Sequence, residues 1–185
     1  RLLARVDWAA LTALSLRYFG VAVTAPAEPE WVALDGKALR GSRGEQVVLA
    51  RTHQSGLILA HHPLTGPKAH EVPTVRTVLA QPQLCGRKVT VDAAHCNPHT
   101  TAQIHQAHGA YLVQLKANQP TLFAAVQALT ATATPLGTQP SVDKGHGRLE
   151  ERQATFFSLA ALPLPARWQN SGLCTVVEVV RTTTQ

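Results

Sequence analysis

The spacing of apolar and polar residues predicts a helix followed by three short strands. Residues 1–19 repeat apolar side chains every three or four positions, as an amphipathic helix does. Leu3, Val6, Ala10 and Leu14 form its apolar face. A loop with two prolines follows, and three apolar runs separated by turn residues then predict an antiparallel meander. These runs are WVALD, which ends at Asp35, QVVLART and GLILAHH.

Further along the chain, helical and strand periods alternate. EVPTVRTVLAQ predicts a helix, and the β-branched run RKVTVDA predicts a buried strand that ends at Asp92. A second helix begins with Asn97 as its cap and Pro98 as its first residue, and it closes at Gly109. After residue 130 a Thr-, Pro- and Gly-rich linker precedes two strands of a separate β element. The remaining predicted elements are the strand AYLVQLK, the helix NQPTLFAAVQAL and the late strands LEERQATFFSL and GLCTVVEVVRT.

This order of elements predicts an α/β fold with a mixed sheet, in which three antiparallel strands precede alternating helices and strands. The order alone is compatible with several α/β folds. The length of 185 residues suits one domain with an irregular extension. A hydrophobic content of 45% is that of a globular protein and excludes a disordered chain.

The net charge indicates which kind of partner the protein binds, and the cysteine content indicates the cellular compartment. The formal net charge is +6 and the pI is about 9.7, a balance that favours polyanions such as nucleic acid. No apolar run reaches the roughly 18 residues of a membrane span, so no membrane partner is expected. The three cysteines have no paired spacing, which indicates a reducing compartment and hence the cytoplasm.

Asp35 and Asp92 are the strongest chemical signal, because each ends a predicted strand. If the first and fourth strands are parallel neighbours, their carboxyl ends meet at one edge of the sheet, where ligands of open α/β sheets collect. Two close carboxylates favour a divalent cation, and Mg²⁺ binds one or two carboxylates together with waters and phosphate oxygens. The alternative is structural, since aspartate after a strand often caps a turn and Asp35–Gly36 is an ordinary turn pair.

Five segments in order resemble the DDE transposases of the H-repeat-associated insertion-sequence family. The resemblance extends from about residue 31 to residue 181. It implies an RNase H-like fold, with an N-terminal helix and linker over 1–30, a partial catalytic core over 31–130, and a linker with an incomplete β-rich insertion over 131–185. The five segments are LDGKALRGSR (34–43), KAHEVP (68–73), VTVDAAHCN (89–97), YLVQLKANQPTL (111–122) and DKGHGRLEER (143–152).

The resemblance implies a recombinase that hydrolyses DNA at insertion-sequence ends and joins the freed 3′-hydroxyls to target DNA. Asp35 and Asp92 correspond to the first two acids of its triad and to ligands of Mg²⁺ or Mn²⁺. Such enzymes act as homodimers on paired DNA ends, and in a bacterium they work in the cytoplasm, at the nucleoid.

Several side chains are expected near the site or on DNA. The resemblance implies Lys37 and Arg40 beside the site, and Lys116, Asn118 and Gln119 contacting DNA phosphates or orienting the metal carboxylates. Arg43, Lys144 and Arg148 are cations that suit a DNA backbone, with a solvated surface or a plain linker as the alternative. His95 is predicted to orient a phosphate or a water beside the metal. Glu71 is interpreted as the partner of Lys68 in an i,i+3 pair at a helix start.

The functional hypotheses differ in which residue supplies the third catalytic acid. The family carries it in a helical His-Trp-x-Ile-Glu-Asn stretch after the insertion, and no such stretch lies among these residues. Glu150 is the substitute within the chain, although it opens a predicted strand and not a helix. If the acid lies elsewhere, the chain is part of a transposase or an inactive remnant that binds only DNA or metal. If Glu150 supplies it, the chain is an RNase H-like nuclease.

Overall fold

The chain folds into two compact units, residues 1–118 and 119–185. The computed structural model describes residues 7–20, 28–38, 46–64, 71–145 and 148–184. The first unit contains the segments that carry Asp35 and Asp92, so its sheet determines the geometry of the candidate site.

A five-stranded mixed sheet forms the centre of the first unit, and its strand order is β3-β2-β1-β4-β5. β1 pairs antiparallel with β2, and β2 pairs antiparallel with β3. β4 lies parallel to β1 on its other side, and β5 lies parallel to β4. The predicted mixed sheet and three-stranded meander are therefore confirmed. The strands are β1 Trp31–Ala38, β2 Gln46–Thr52, β3 Ile58–Leu64, β4 Lys88–Val91 and β5 Ala110–Val113.

Three helices accompany this sheet, and their starts follow local sequence rules. α1 spans Trp8–Tyr18 and is capped by Asp7, whose side chain accepts a hydrogen bond from the Ala10 amide. α2 spans Glu71–Leu79 and carries an acid in its first turn, where the helix dipole favours negative charge. α3 spans Pro98–Gln106 with Asn97 as its cap and Pro98 as its first residue, as predicted.

Apolar side chains from the sheet and the helices form one core in the first unit. Alternate residues of β1 point inward, so that Val32 and Leu34 are buried while Asp35 is exposed. α2 adds Val75, Val78 and Leu79 to the same cluster. Burial of these side chains is the main stabilising contribution, at roughly 1.5–3 kcal/mol for each large aliphatic side chain.

Two boundaries differ from the prediction. β1 does not end at Asp35, because residues 35–38 continue to pair with residues 46–49 of β2. Gly36 and Lys37, expected in a turn, therefore belong to the strand. α3 ends at Gln106 and not at Gly109, because His108 adopts a left-handed conformation with φ of 58° that stops the helix.

The second unit contains one helix and a three-stranded antiparallel sheet of order β6-β7-β8. Residues 137–145 were expected to lie in a linker, but they form the strand β6. Each of them pairs with a residue of β7. Long-range pairing has overridden the local turn signals, and Pro140 is tolerated because β6 lies at an edge of the sheet. The elements are α4 Pro120–Thr132, β6 Gly137–Gly145, β7 Arg148–Ser158 and β8 Thr175–Thr184.

The described helices include none that is both long and apolar enough to cross a membrane.

Candidate functional site: a carboxylate pair at the edge of the sheet

Asp35 and Asp92 lie on neighbouring parallel strands. The register of β1 and β4 pairs Val32 with Val89 and Ala33 with Thr90. If that register is continued by two residues, Asp35 lies opposite Asp92, at the carboxyl end of β4. Both residues are exposed, with 56% and 68% of their side-chain surfaces accessible. The strand arrangement on which the predicted pairing depended is therefore present.

A tight turn fixes the backbone that follows β4. Asp92 is the cap of a 3₁₀ turn over Ala93–His95, and its Oδ1 accepts a hydrogen bond of 2.9 Å from the Ala94 amide. The structural role considered for this aspartate is thus real. It does not exclude metal binding, because the cap uses one carboxylate oxygen and leaves Oδ2 for another ligand.

Asn118 supports the same turn from the segment after β5. Its side-chain amide Nδ2 donates a hydrogen bond of 2.7 Å to the carbonyl oxygen of Ala93. Asn118 therefore holds the backbone next to Asp92, and its orienting of a metal carboxylate stays a prediction.

Lys37 lies on the same face of β1 as Asp35, two residues along the strand, and its ammonium forms an ion pair with the Asp35 carboxylate. Both side chains are largely exposed, so water screens the attraction, and such pairs contribute about 0–1 kcal/mol. The pair shows that a cation is accommodated beside Asp35. It also means that Lys37 reaches the site from within the strand.

The His95 imidazole lies close to the carboxylates of both Glu71 and Asp92, and the sequence did not predict this arrangement. His95 Nε2 lies 3.7 Å from Glu71 Oε1 and 3.8 Å from Asp92 Oδ1. Only 1% of the His95 side chain is exposed, so it is too buried to orient a phosphate or an open water. That role predicted for His95 is therefore wrong. Lys68, the expected partner of Glu71, lies outside the described residues.

A hydrogen-bond network fixes the helix of Glu71 to the segment after Asp92. Arg76, one turn beyond Glu71 on α2, donates from Nη2 to Asn97 Oδ1 at 3.0 Å. Gln103 Nε2 donates back to the Arg76 carbonyl oxygen at 2.8 Å. Because Asn97 also caps α3, the network joins α2, α3 and the turn after β4.

Cys96 directly precedes Asn97 in the chain. Burial raises the pKa of the Cys96 thiol, which keeps that thiol protonated and unreactive.

The predicted DNA-contacting residues are distributed over both units. Lys116 is exposed just after β5 in the first unit. In the second unit Gln119 Oε1 accepts a hydrogen bond of 2.8 Å from Arg167. Lys144 and Arg148 are exposed on β6 and β7, on strands and not on a long loop. Arg40 and Arg43 lie outside the described residues.

Glu150 lies on β7 of the second unit. Its carboxylate forms an ion pair with Arg152, two residues along the same strand. The residue is thus in a strand with a cation beside it, as its sequence context indicated, and it is not on a helix.

Among the residues that the structure describes, no cluster of three or more His, Cys, Asp and Glu side chains is arranged to hold a metal ion. The candidate centre consists of the two aspartates alone. Two carboxylates match the hard oxygen ligands of Mg²⁺, which fills its other positions with water and substrate oxygens. The residues present therefore fit a magnesium ion but do not enclose one.

Comparison with known proteins gives a relative but does not show a family. No family model matches the chain. A Xanthobacter autotrophicus protein, described as an uncharacterized protein in the dhlA 3′ region, is 32% identical over 131 residues. The match covers 66% of this chain and 44% of that protein. The chain therefore spans less than half the length of the relative that it matches.

Proposed function

We propose that this chain is part of the catalytic domain of a DDE transposase of the H-repeat-associated insertion-sequence family. Its first unit is an RNase H-like core that uses Mg²⁺ or Mn²⁺ in DNA strand cleavage and strand transfer. The longer protein of which the chain is part is proposed to act on insertion-sequence ends and target DNA in the bacterial cytoplasm, at the nucleoid, as a homodimer on paired ends. Asp35 and Asp92 are its first two acids.

One observation carries the proposal. Asp35 lies within β1 and Asp92 directly follows β4, and these two strands are parallel neighbours in a sheet of order β3-β2-β1-β4-β5. The sequence motifs place an acid at each of these two points, and the strand pairing brings the two points together. Either feature alone is common, and their coincidence is what favours a metal-dependent phosphoryl transfer.

The chemistry follows from the charges. Asp35 and Asp92 would hold a divalent cation, which would supply polarisation of the phosphate and activation of the attacking oxygen. Asn118 keeps the Asp92 turn in place through the Ala93 carbonyl. Lys37 and Lys116 are exposed cations on the same unit and suit contacts to the DNA backbone.

The third acid is proposed to come from sequence beyond residue 185 in a longer protein. Glu150 is less suited to the role, because it lies on the strand β7, whereas the family carries this acid on a helix. The whole transposition reaction is accordingly proposed for the longer protein. The part assigned to this chain is the binding of metal and DNA.

Calorimetric titration with Mn²⁺ tests the assignment of the centre. Asp35→Asn and Asp92→Asn keep the shape of each side chain and remove its charge. Each should weaken Mn²⁺ binding at least as much as the roughly 10–100-fold loss that follows removal of an outer-shell partner. Asp143→Asn on the exposed strand β6 is the matched control and should leave the affinity unchanged, as should Glu150→Gln. Equal affinity in the wild type and in both active-centre variants would refute the assignment.

A further inference from the structure

Beside the exposed Asp92 carboxylate lie the half-buried Glu71 and the buried His95. The two residues are 24 positions apart, on α2 and on the turn after β4. His95 Nε2 faces both the Glu71 and the Asp92 carboxylates, at 3.7 and 3.8 Å. The exposed fraction of the side chain rises from 1% at His95 to 23% at Glu71 and 68% at Asp92.

The surroundings of the imidazole assign its tautomer. An unprotonated Nε2 would turn its lone pair toward two carboxylates, whereas an Nε2–H turns a donor toward two acceptors. His95 is therefore a donor at Nε2. Its other nitrogen, Nδ1, is buried and has no hydrogen-bond partner within the described segments. The ring thus has its polar interaction on the side of the carboxylates.

Glu71 does not share a face of the sheet with Asp35. A β-carbon built on Gly36 would lie 2.8 Å from Glu71 Oε1, so the Glu71 carboxylate packs directly against the backbone of β1. Because neighbouring residues of a strand point to opposite faces, Glu71 reaches β1 from the face that Asp35 does not use. This geometry favours an action through His95 over direct binding to a cation held by Asp35.

Among the described residues, the contacts of Asp92 are made through its Oδ1. Its Oδ1 accepts from the Ala94 amide and faces His95 Nε2. The Ala94 amide fixes Oδ1 through its hydrogen bond, whereas His95 Nε2, at 3.8 Å, is too distant for a hydrogen bond and attracts the same oxygen only electrostatically. Oδ2 is then the oxygen presented at the edge of the sheet. Loss of either interaction leaves the side chain freer to rotate, and a ligand that must be ordered on binding binds more weakly.

We propose that Glu71 and His95 are positioning residues of the Asp35–Asp92 centre: Glu71 orients the His95 imidazole, and His95 Nε2–H orients Asp92 for cation binding. This inference rests on the proposed function. It adds two residues that do not themselves touch the cation or the DNA. The arrangement resembles the outer shell of a metal site, in which a neighbouring polar side chain orients a ligand without binding the metal.

Four variants separate positioning from packing. Glu71→Gln keeps the size of the side chain and removes its charge. His95→Gln retains a donor near the Nε2 position, whereas His95→Leu retains bulk without a donor. Glu151→Gln, on the exposed part of β7, controls for the loss of one negative charge. Mn²⁺ affinity is measured by calorimetry on the full chain, together with the thermal midpoint and the ¹⁵N-imidazole spectrum of the metal-free protein.

The expected result is a loss of about 10–100-fold in Mn²⁺ affinity for Glu71→Gln and for His95→Leu. His95→Gln should lose less than His95→Leu, and the double variant Glu71→Gln/His95→Leu should lose no more than His95→Leu alone. The metal-free spectrum should show His95 protonated at Nε2 and should change in Glu71→Gln. Glu151→Gln should match the wild type. A folded Glu71→Gln protein keeps the test valid even if the His95 variants do not fold.

The failures of the two proposals are distinguishable. If Asp35→Asn and Asp92→Asn lose Mn²⁺ but Glu71→Gln and His95→Leu bind like the wild type, the positioning role is overturned and the metal centre stands. Equal losses for His95→Gln and His95→Leu, each matched by a lower thermal midpoint, would also overturn it in favour of packing. If neither aspartate variant changes the affinity, the metal centre fails and the positioning role fails with it.

Discussion

The carboxylate of Glu71 occupies the space that a side chain at Gly36 would need, because an added β-carbon would lie 2.8 Å from Glu71 Oε1. Gly36→Ala should therefore displace this carboxylate from His95 and lower Mn²⁺ affinity. The cost in stability should stay below the roughly 1–3 kcal/mol of overpacking a rigid core, since the contact is the end of a flexible side chain. Calorimetry and thermal unfolding measure the two effects separately.

Gly137→Ala is the matched control for Gly36→Ala, because a β-carbon there meets nothing within 4 Å. It should leave Mn²⁺ affinity unchanged and should raise stability by no more than about 0.4–1 kcal/mol, the usual gain from restricting the unfolded chain at a compatible glycine. In a Glu71→Ala background the Gly36→Ala change should have no further effect on Mn²⁺ affinity. A full additional loss in that background would show that Gly36 acts on the site by another route.

Lys37 and a divalent cation should compete for Asp35. Because the Lys37 ammonium is paired with the Asp35 carboxylate, metal binding must displace it. Lys37→Met removes the charge and keeps much of the length, so Mn²⁺ affinity should rise. The rise should not exceed about fivefold, since exposed ion pairs are worth at most about 1 kcal/mol. DNA affinity, measured by fluorescence anisotropy at two salt concentrations, should fall and show a smaller salt dependence.

Lys116→Met is the comparison for that experiment, since Lys116 is an exposed cation of the same unit with no ion pair to Asp35 among the described residues. It should weaken DNA binding and leave Mn²⁺ affinity unaltered. A fall in Mn²⁺ affinity on Lys37→Met would contradict the competition and would mean that Lys37 supports the centre.

The turn between α3 and β5 should respond in opposite directions to two neighbouring substitutions. At Gly109 a β-carbon would lie 2.8 Å from the Arg87 carbonyl oxygen, which is backbone and cannot move aside. Gly109→Ala should therefore destabilise the protein by about 1–3 kcal/mol. His108 has a φ of 58°, so His108→Gly should relieve about 1 kcal/mol of strain. Urea denaturation checks both signs, and a stabilising Gly109→Ala would contradict the steric argument.

The sequence predicted the strands well because their signals are local. Alternating or β-branched apolar runs marked β1 to β4, and Asn97–Pro98 marked the start of α3. β6 was missed, because its Thr, Pro and Gly residues become a strand only by pairing with β7. The strand boundary at Asp35 was misplaced for the same reason, since Gly36 and Lys37 pair with β2.

In the candidate site, too, residues with local sequence signals were predicted, and residues that meet only through long-range packing were missed. Asp35 and Asp92 were visible because each ends an apolar run, and motif resemblance joined them. Glu71 and His95 meet only through the packing of α2 on the sheet, and nothing in their local sequence encodes that contact. One available signal was Glu71, an acid in the first turn of α2. It was interpreted as the ion-pair partner of Lys68, which is closer in sequence than His95. The other available signal was His95 itself, a polar residue next to Cys96; both side chains are buried in the structure.

The stability of the first unit should fall when the pH drops below the ordinary imidazole value of about 6.5, through His61. Burial, and secondarily the charge of neighbouring His62, lower the pKa of His61 in the folded chain. Its Nδ1 lies 3.0 Å from the hydroxyl of Thr12 on α1. As the pH falls through 6.5 the unfolded chain binds a proton that the folded chain does not. The free energy of unfolding therefore decreases until the lowered folded pKa is reached, and then levels off.

Chemical denaturation at a series of pH values between 8 and 5 checks the sign of this effect. His61→Gln removes the titrating group and should flatten the decrease. His105→Gln, at an exposed position of α3, is the control and should retain it. An equally steep decrease in the His61→Gln protein would assign the pH dependence to another group, and a stability that rises on acidification would contradict the direction of the His61 pKa. Because α1 contacts β3 through the Thr12–His61 pair, the loss should appear first as weaker amide protection in α1.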